Sequence, residues 1–184
     1  QPESSAASDV YKRQGIGRKF QTPRVYVNLT VRENLDLVIN RHKGVIATLF
    51  RKIPAAEIRS VAGLLEIIGL VGKADIKAAF LSHGEKQRLE IGMLVAQSPD
   101  LLLIDEPVAG LTDEETENIS SILLNLASSH SIIVIEHDME FVRQIAEKVT
   151  VLHQGSVLCE GTIDEVQNDP RVMEVYLGLT SSPA

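Results

Sequence analysis

Residues 101–110 read Leu-Leu-Leu-Ile-Asp-Glu-Pro-Val-Ala-Gly. Four aliphatic residues make a buried strand, Asp105 and Glu106 leave its end, and Pro107 stops it. A carboxylate at the carboxyl end of a parallel strand faces the crevice where open α/β sheets bind ligands. There Asp105 can hold Mg²⁺ against phosphate, often through water. Glu106 can orient or deprotonate an attacking water. Apolar strands that end in acids are common, so the pair taken alone serves equally well to begin a solvated loop.

Three other segments carry residues of the same kind. Residues 81–97 read LSHGEKQRLEIGMLVAQ. Ser82 and Glu85 have the S-x-x-E spacing of a capping box, and Gly84 leaves the backbone open in the first turn. Free N–H groups at such a helix start can receive phosphate oxygens; in isolation an ordinary capped helix explains the segment. Residues 132–138 read IIVIEHD. His137 leaves a second apolar strand, where it can reach the same crevice, although a lone histidine there more often lies on the surface. Asp138 fits as the N-cap of the next helix. Gln21, before Thr22-Pro23, is by itself a loop residue.

Elements must position these groups. Thr30 and Glu33 have capping-box spacing before the apolar run Leu35, Leu37, Val38, Ile39. Pro54 can open a second helix, in which Ile58, Val61, Leu65 and Ile68 form a core stripe that Gly69 and Gly72 end. The basic stretch 41–52 reads as a solvated loop or helix end. Beyond Leu81 the pattern alternates: helix 82–97, strand 101–105, helix 113–128, strand 132–136 and helix 139–147. Strands near 149–152 and 156–160 follow, joined by a turn at Gln154-Gly155, with short helices after Thr162 and near 170–177. Such alternation predicts an α/β fold with a mostly parallel sheet covered on both faces. Residues 1–14 are polar and aperiodic and are expected to be non-native or disordered.

The 184 residues suffice for one domain with a small subdomain. A net charge of −7 argues against a nucleic-acid partner, which calls for a basic face, and against direct binding to anionic lipid. Cys159 is the only cysteine, so the chain makes no internal disulfide and no cysteine zinc site. No apolar run is long enough to span a bilayer.

In this order, the capped glycine-containing helix, the Asp-Glu-Pro strand end and the strand-end histidine resemble the ATP-binding subunits of ABC transporters over residues 15 to about 178. LSHGEKQ is similar to the family signature, LLLIDEP to Walker B with its glutamate, AGLT at 109–112 to the D-loop, IEHD to the switch-histidine loop and FQTP to the Q-loop. GIGRKFQTP, the helical segment and GLTDEET most resemble importers of branched-chain amino acids and, within them, the urea type. The resemblance implies a partial P-loop NTPase (RecA-like) fold. Residues about 28–95 would be a helical subdomain that includes the signature helix, about 98–178 the core, and 179–184 a tail.

The resemblance also implies roles. Gln21 would contact Mg²⁺ or water and relay to the membrane subunit. Asp105 would hold the Mg²⁺ of MgATP, Glu106 would be the general base, and His137 would contact the γ-phosphate. Ser82 and Gly84, with Glu85 beside them, would bind ATP held by the opposite subunit. The implied partners are transmembrane permease subunits, a second ATPase subunit arranged head to tail and, indirectly, a periplasmic or extracellular binding protein. No nucleic acid is expected, and the implied location is the cytoplasmic face of the plasma membrane. Two positions depart from the pattern: His83 stands in place of a signature glycine, and Thr112 in place of the D-loop aspartate, where Thr112 and Glu115 also have capping-box spacing.

The sequence contains no G-x-x-x-x-G-K-[ST] loop; Gly72-Lys73-Ala74 is the nearest fragment. The chain is therefore expected to be amino-terminally shortened and to bind ATP weakly by itself. The strand that carries such a loop would lie beside 132–136, and without it an apolar edge is exposed to aggregation. The alternative is a non-catalytic subunit that completes a partner's ATP site in trans. A translation or DNA-repair ATPase is a third reading, disfavoured because neither tandem ATPase halves nor long coiled coils are present.

Overall fold

Three parallel strands, β1 (Ile16–Lys19), β2 (Leu101–Asp105) and β3 (Ser131–Ile135), lie in that order in one sheet. The computed structural model describes residues 16–19, 25–41 and 60–177. Leu101 faces Ile16 on one side and Ser131 on the other, and Asp105 faces Ile135. The register brings β2 and β3 to a common carboxyl end. β1 was not expected: its four residues, IGRK, alternate too briefly to signal a strand, and it is the pairing with β2 that makes them one.

The described residues fall into two compact units that divide between Glu136 and His137. In the first, helices α1 (Val31–Arg41), α2 (Val61–Ile67) and α3 (His83–Val95) precede β2, and α4 (Asp113–Ala127) joins β2 to β3. α3 is buried nearly all round: Leu89 and Ile91 have no exposed surface, and Met93, Leu94 and Val95 are buried. It packs against α1, α2, α4 and β1. Each fully buried aliphatic side chain there contributes about 1.5–3 kcal/mol. α4 buries Ile119, Ile122, Leu123 and Leu126, spaced for one helical face.

α2 differs in its start. Ser60 is its N-cap and receives the Gly63 N–H at 3.2 Å. Pro54 and Ile58 lie outside the described residues, as do 42–52. Leu65 and Ile68 are buried as the stripe requires, and the helix ends before Gly69. β3 differs in burial. Although apolar from Ile132 to Ile135, it is an edge strand among the described residues, and Ile133 and Ile135 are 53% and 62% exposed. An apolar strand is buried only where neighbours cover it, and here β2 alone pairs with it.

The second unit holds α5 (Met139–Ile145), the antiparallel hairpin β4 (Val149–His153) and β5 (Ser156–Gly161), α6 (Ile163–Gln167) and α7 (Pro170–Leu177). Gln154 and Gly155 both take positive φ, +49° and +77°, the pairing a two-residue hairpin turn demands. A register shift between Val151 and Leu152 makes β5 bulge around Leu158. Arg143 of α5 holds α6 through Asp164 at 2.9 Å and through Gln167.

The start of α1 is fully accounted for. Thr30 and Glu33 form the expected reciprocal cap at 2.7 and 3.1 Å. The N–H groups of Val31 and Arg32 donate to the carbonyls of Ile76 and Ala74. Asn34, with no exposed surface, accepts the Tyr26 N–H at 2.8 Å and donates to the Tyr26 and Thr30 carbonyls at 3.1 and 2.8 Å. It is thus the fastener that folds residues 26–30 back onto α1. Asn34→Leu keeps the bulk and strands those backbone groups, so urea unfolding should report a loss of about 1–3 kcal/mol. A neutral result would show that the groups find other partners.

Candidate functional site

β2 ends where its aliphatic run ends, and the chain turns sharply. Glu106 takes φ +45°, a conformation non-glycine residues rarely adopt. Its N–H donates to the Ile135 carbonyl at 2.9 Å, and the Val108 N–H donates to the Glu136 carboxylate at 3.2 Å. Two bonds to the end of β3 therefore hold the turn, with Pro107 and Val108 buried beneath it. Asp105 and Glu106 are both half-buried. Left-handed backbone at a carboxylate costs about 1–3 kcal/mol and persists where the surroundings fix it. Here they fix a pair of acids at the carboxyl end of a parallel sheet. Among the described residues no group of three or more His, Cys, Asp or Glu is placed to hold a metal. A single carboxylate suits Mg²⁺ that arrives with a phosphate chain and keeps its waters.

The second cluster is the start of α3. Ser82 caps it, receiving the Glu85 N–H at 3.2 Å, while Glu85 accepts the Ser82 N–H at 3.0 Å. Burial pushes the Glu85 carboxyl up, but the Lys73 ammonium, the Ser82 N–H and Arg88 outweigh it and hold the carboxyl below its usual range. Glu85 is thus occupied within its own turn. Ser82 and His83 are exposed, whereas Gly84 is buried.

Glu115 does the burying. From the first turn of α4 its carboxylate accepts the Ser82 hydroxyl at 2.9 Å and the Thr112 N–H at 3.3 Å, and it lies directly over Gly84. The Ser82 hydroxyl first, opposed by burial and then aided by the backbone N–H groups of Thr112 and Gly84, holds its carboxyl below the ordinary range. A Cβ on residue 84 would stand 2.6 Å from the Glu115 carboxyl carbon, so only glycine allows the approach. Sequence reading finds Glu115 as the capping partner of Thr112. Its bond to Ser82, 33 residues away, has no local signal.

His137 follows Glu136, two residues past β3, and is exposed as the first residue of the second unit. Asp138 caps α5, accepting the N–H groups of Glu140 and Phe141 at 2.9 and 3.1 Å. Gln21 lies outside the described residues. A shallow concavity lined by Ser98, Asp100, Ser128 and His130 opens at the amino ends of β2 and β3, opposite to the acids, and takes no part.

Residues 3–109 match the family model described as ABC transporter. The chain belongs to the ABC transporter family. Residues 156–178 match a second model, the branched-chain amino acid ATP-binding cassette transporter. The chain is 36% identical over 175 residues to the high-affinity branched-chain amino acid transport ATP-binding protein LivG of Salmonella typhimurium, covering 90% of this chain and 69% of that protein. It is 34% identical over 175 residues to the corresponding protein BraF of Pseudomonas aeruginosa, with the same coverage. A solved ATP-binding cassette of an ABC transporter in its ADP conformation superposes with a TM-score of 0.72 at 30% identity, covering 92% of this chain and 70% of that one. The fold is that of an ABC ATPase cassette, a P-loop NTPase architecture. ATP-binding subunits of this ABC family bind and hydrolyse ATP and couple hydrolysis to transport.

The left-handed turn can be tested by substitution. Glu106→Ile places a β-branched residue at positive φ and should destabilise the chain by about 1–3 kcal/mol. Glu106→Gly should leave stability within about 1 kcal/mol of the parent. Equal unfolding midpoints for the two variants would show that the turn relaxes.

Proposed function

We propose that this chain is the ATP-binding and ATP-hydrolysing subunit of an ABC importer for branched-chain amino acids or urea. The observation that carries the reading is the pair Asp105–Glu106, fixed by a left-handed turn at the carboxyl end of β2. Relatives named for branched-chain amino acid transport support the cargo class; urea rests on the resemblance of GIGRKFQTP and GLTDEET alone.

Asp105 would hold Mg²⁺ on the triphosphate through one carboxylate, and the ion would neutralise charge on the phosphate oxygens. Glu106 takes the proton of the attacking water, and the fixed turn keeps its carboxylate from wandering. Ser82 and the backbone at Gly84 bind the γ-phosphate of ATP held by a second ATPase subunit, arranged head to tail. Glu85 acts one step back by holding the Ser82 cap. His137 and Gln21 take the γ-phosphate and relay roles that the family resemblance gives them.

The permease partner is supported by surface. Phe80 is 78% exposed, and Tyr26 and Val27, whose segment is bonded to it through Ala79, are about half exposed. Exposed aromatic residues in one patch suit a protein partner. No described helix is long and apolar enough to cross a membrane. The family resemblance would place the chain peripherally at the cytoplasmic face, beneath its permease. A periplasmic or extracellular binding protein would deliver the cargo.

A second reading has its own observation. The cap at Ser82 is complete, with both reciprocal bonds present. A subunit that presents such a cap can complete a partner's ATP site in trans as a non-catalytic member of the pair.

The readings separate in two measurements. Alone, the 184-residue chain should bind MgATP more weakly than about 1 mM; tight Mg²⁺-dependent binding would overturn that expectation. Joined to an amino-terminal segment that carries the P-loop, it should hydrolyse ATP. Glu106→Gln should then slow hydrolysis about 10²–10⁴-fold while ATP binding is kept. Unchanged turnover in that variant would remove Glu106 from the role.

A further inference from the structure

Outside the acids of β2, one group lies where it helps the resting fold and opposes the proposed ligand. The Glu115 carboxylate accepts the Ser82 hydroxyl and covers Gly84, the two positions assigned above to a phosphate. Its held-down carboxyl keeps it anionic at neutral pH. A carboxylate and a phosphate cannot share that seat, since like charges at contact repel strongly. Glu115 also has somewhere to go: it is only half-buried, and its other oxygen is bonded to the Thr112 N–H of its own helix.

We propose that Glu115 is an internal stand-in for phosphate, a carboxylate that occupies the signature turn at rest and must swing off Ser82 and Gly84 before a polyphosphate can bind there. The proposal rests on the reading of Ser82 and Gly84 as a phosphate seat. Seating the nucleotide then releases the Ser82–Glu115 bond that joins the starts of α3 and α4, so occupancy of the seat is reported to the segment 109–112 just before α4. The residue is a positioning and gating group and does no chemistry on the substrate.

The test is equilibrium dialysis of inorganic tripolyphosphate against the dilute chain, with circular dichroism of each variant as the check on folding. Glu115→Gln should bind about tenfold more tightly than the parent, the response to losing one competing charge. Glu114→Gln, an exposed neighbour with the same change in net charge, should bind like the parent. Adding Ser82→Ala to Glu115→Gln should abolish the gain. If Glu115→Gln is misfolded, Glu115→Ala carries the same comparison. Equal affinity of parent and Glu115→Gln, with both weakened by Ser82→Ala, would overturn the gate and leave the phosphate seat standing. A gain that Glu114→Gln shares, or that survives Ser82→Ala, would overturn it as a mere charge effect. Absence of binding in every form would overturn both the gate and the seat.

Discussion

The length of β2 is the constraint on which the rest depends. The strand is paired on both edges, stops at Asp105 opposite Ile135, and passes its last hydrogen bond to the Glu106 N–H. Because side chains alternate along a strand, a one-residue slip would send Asp105 to the other face and aim both carboxylates elsewhere. Leu102 and Ile104 are fully buried on one face and hold the register. The strain at Glu106 is acceptable because these contacts leave the turn no alternative. The placement of the candidate acids is here a by-product of where an apolar run ends.

Much of this was legible because the signals are local. A capping box involves residues three apart, and Thr30–Glu33, Ser82–Glu85 and Thr112–Glu115 all form the reciprocal bonds their spacing implies. The apolar pentapeptides gave strands within a residue of their expected bounds, and the Gln154-Gly155 turn follows from chain chemistry alone. The candidate acids were legible for the same reason, since a strand end can be read from hydropathy.

What was not legible depends on distant partners. β1 exists because β2 lies beside it. The exposure of β3 depends on which neighbours cover it, and hydropathy could only set the expectation of burial. Asn34 looks like an ordinary helix residue until residues 26–30 fold back onto it. Glu115 reads as a cap for Thr112, and nothing in its own segment signals that its second oxygen reaches Ser82.

The acids at the helix starts expose a tension inherent in this architecture. A carboxylate in the first turn satisfies orphan N–H groups and complements the helix dipole, each worth about 0.3–1 kcal/mol at an exposed end. The same N–H groups are the ones that grip phosphate. A helix start used for nucleotide must therefore choose between being well capped at rest and being open to its ligand. In the role proposed for α3, the work is divided between two acids. Glu85 caps Ser82 from within the turn and is held there by Lys73 and Arg88. Glu115 comes from another helix, with a cap of its own to return to. An acid fixed within the turn stabilises without leaving, whereas an acid borrowed from a neighbour can be withdrawn. The borrowed bond is also the one that joins two helix starts, so the residue best placed to yield is the residue whose movement the neighbouring helix would register.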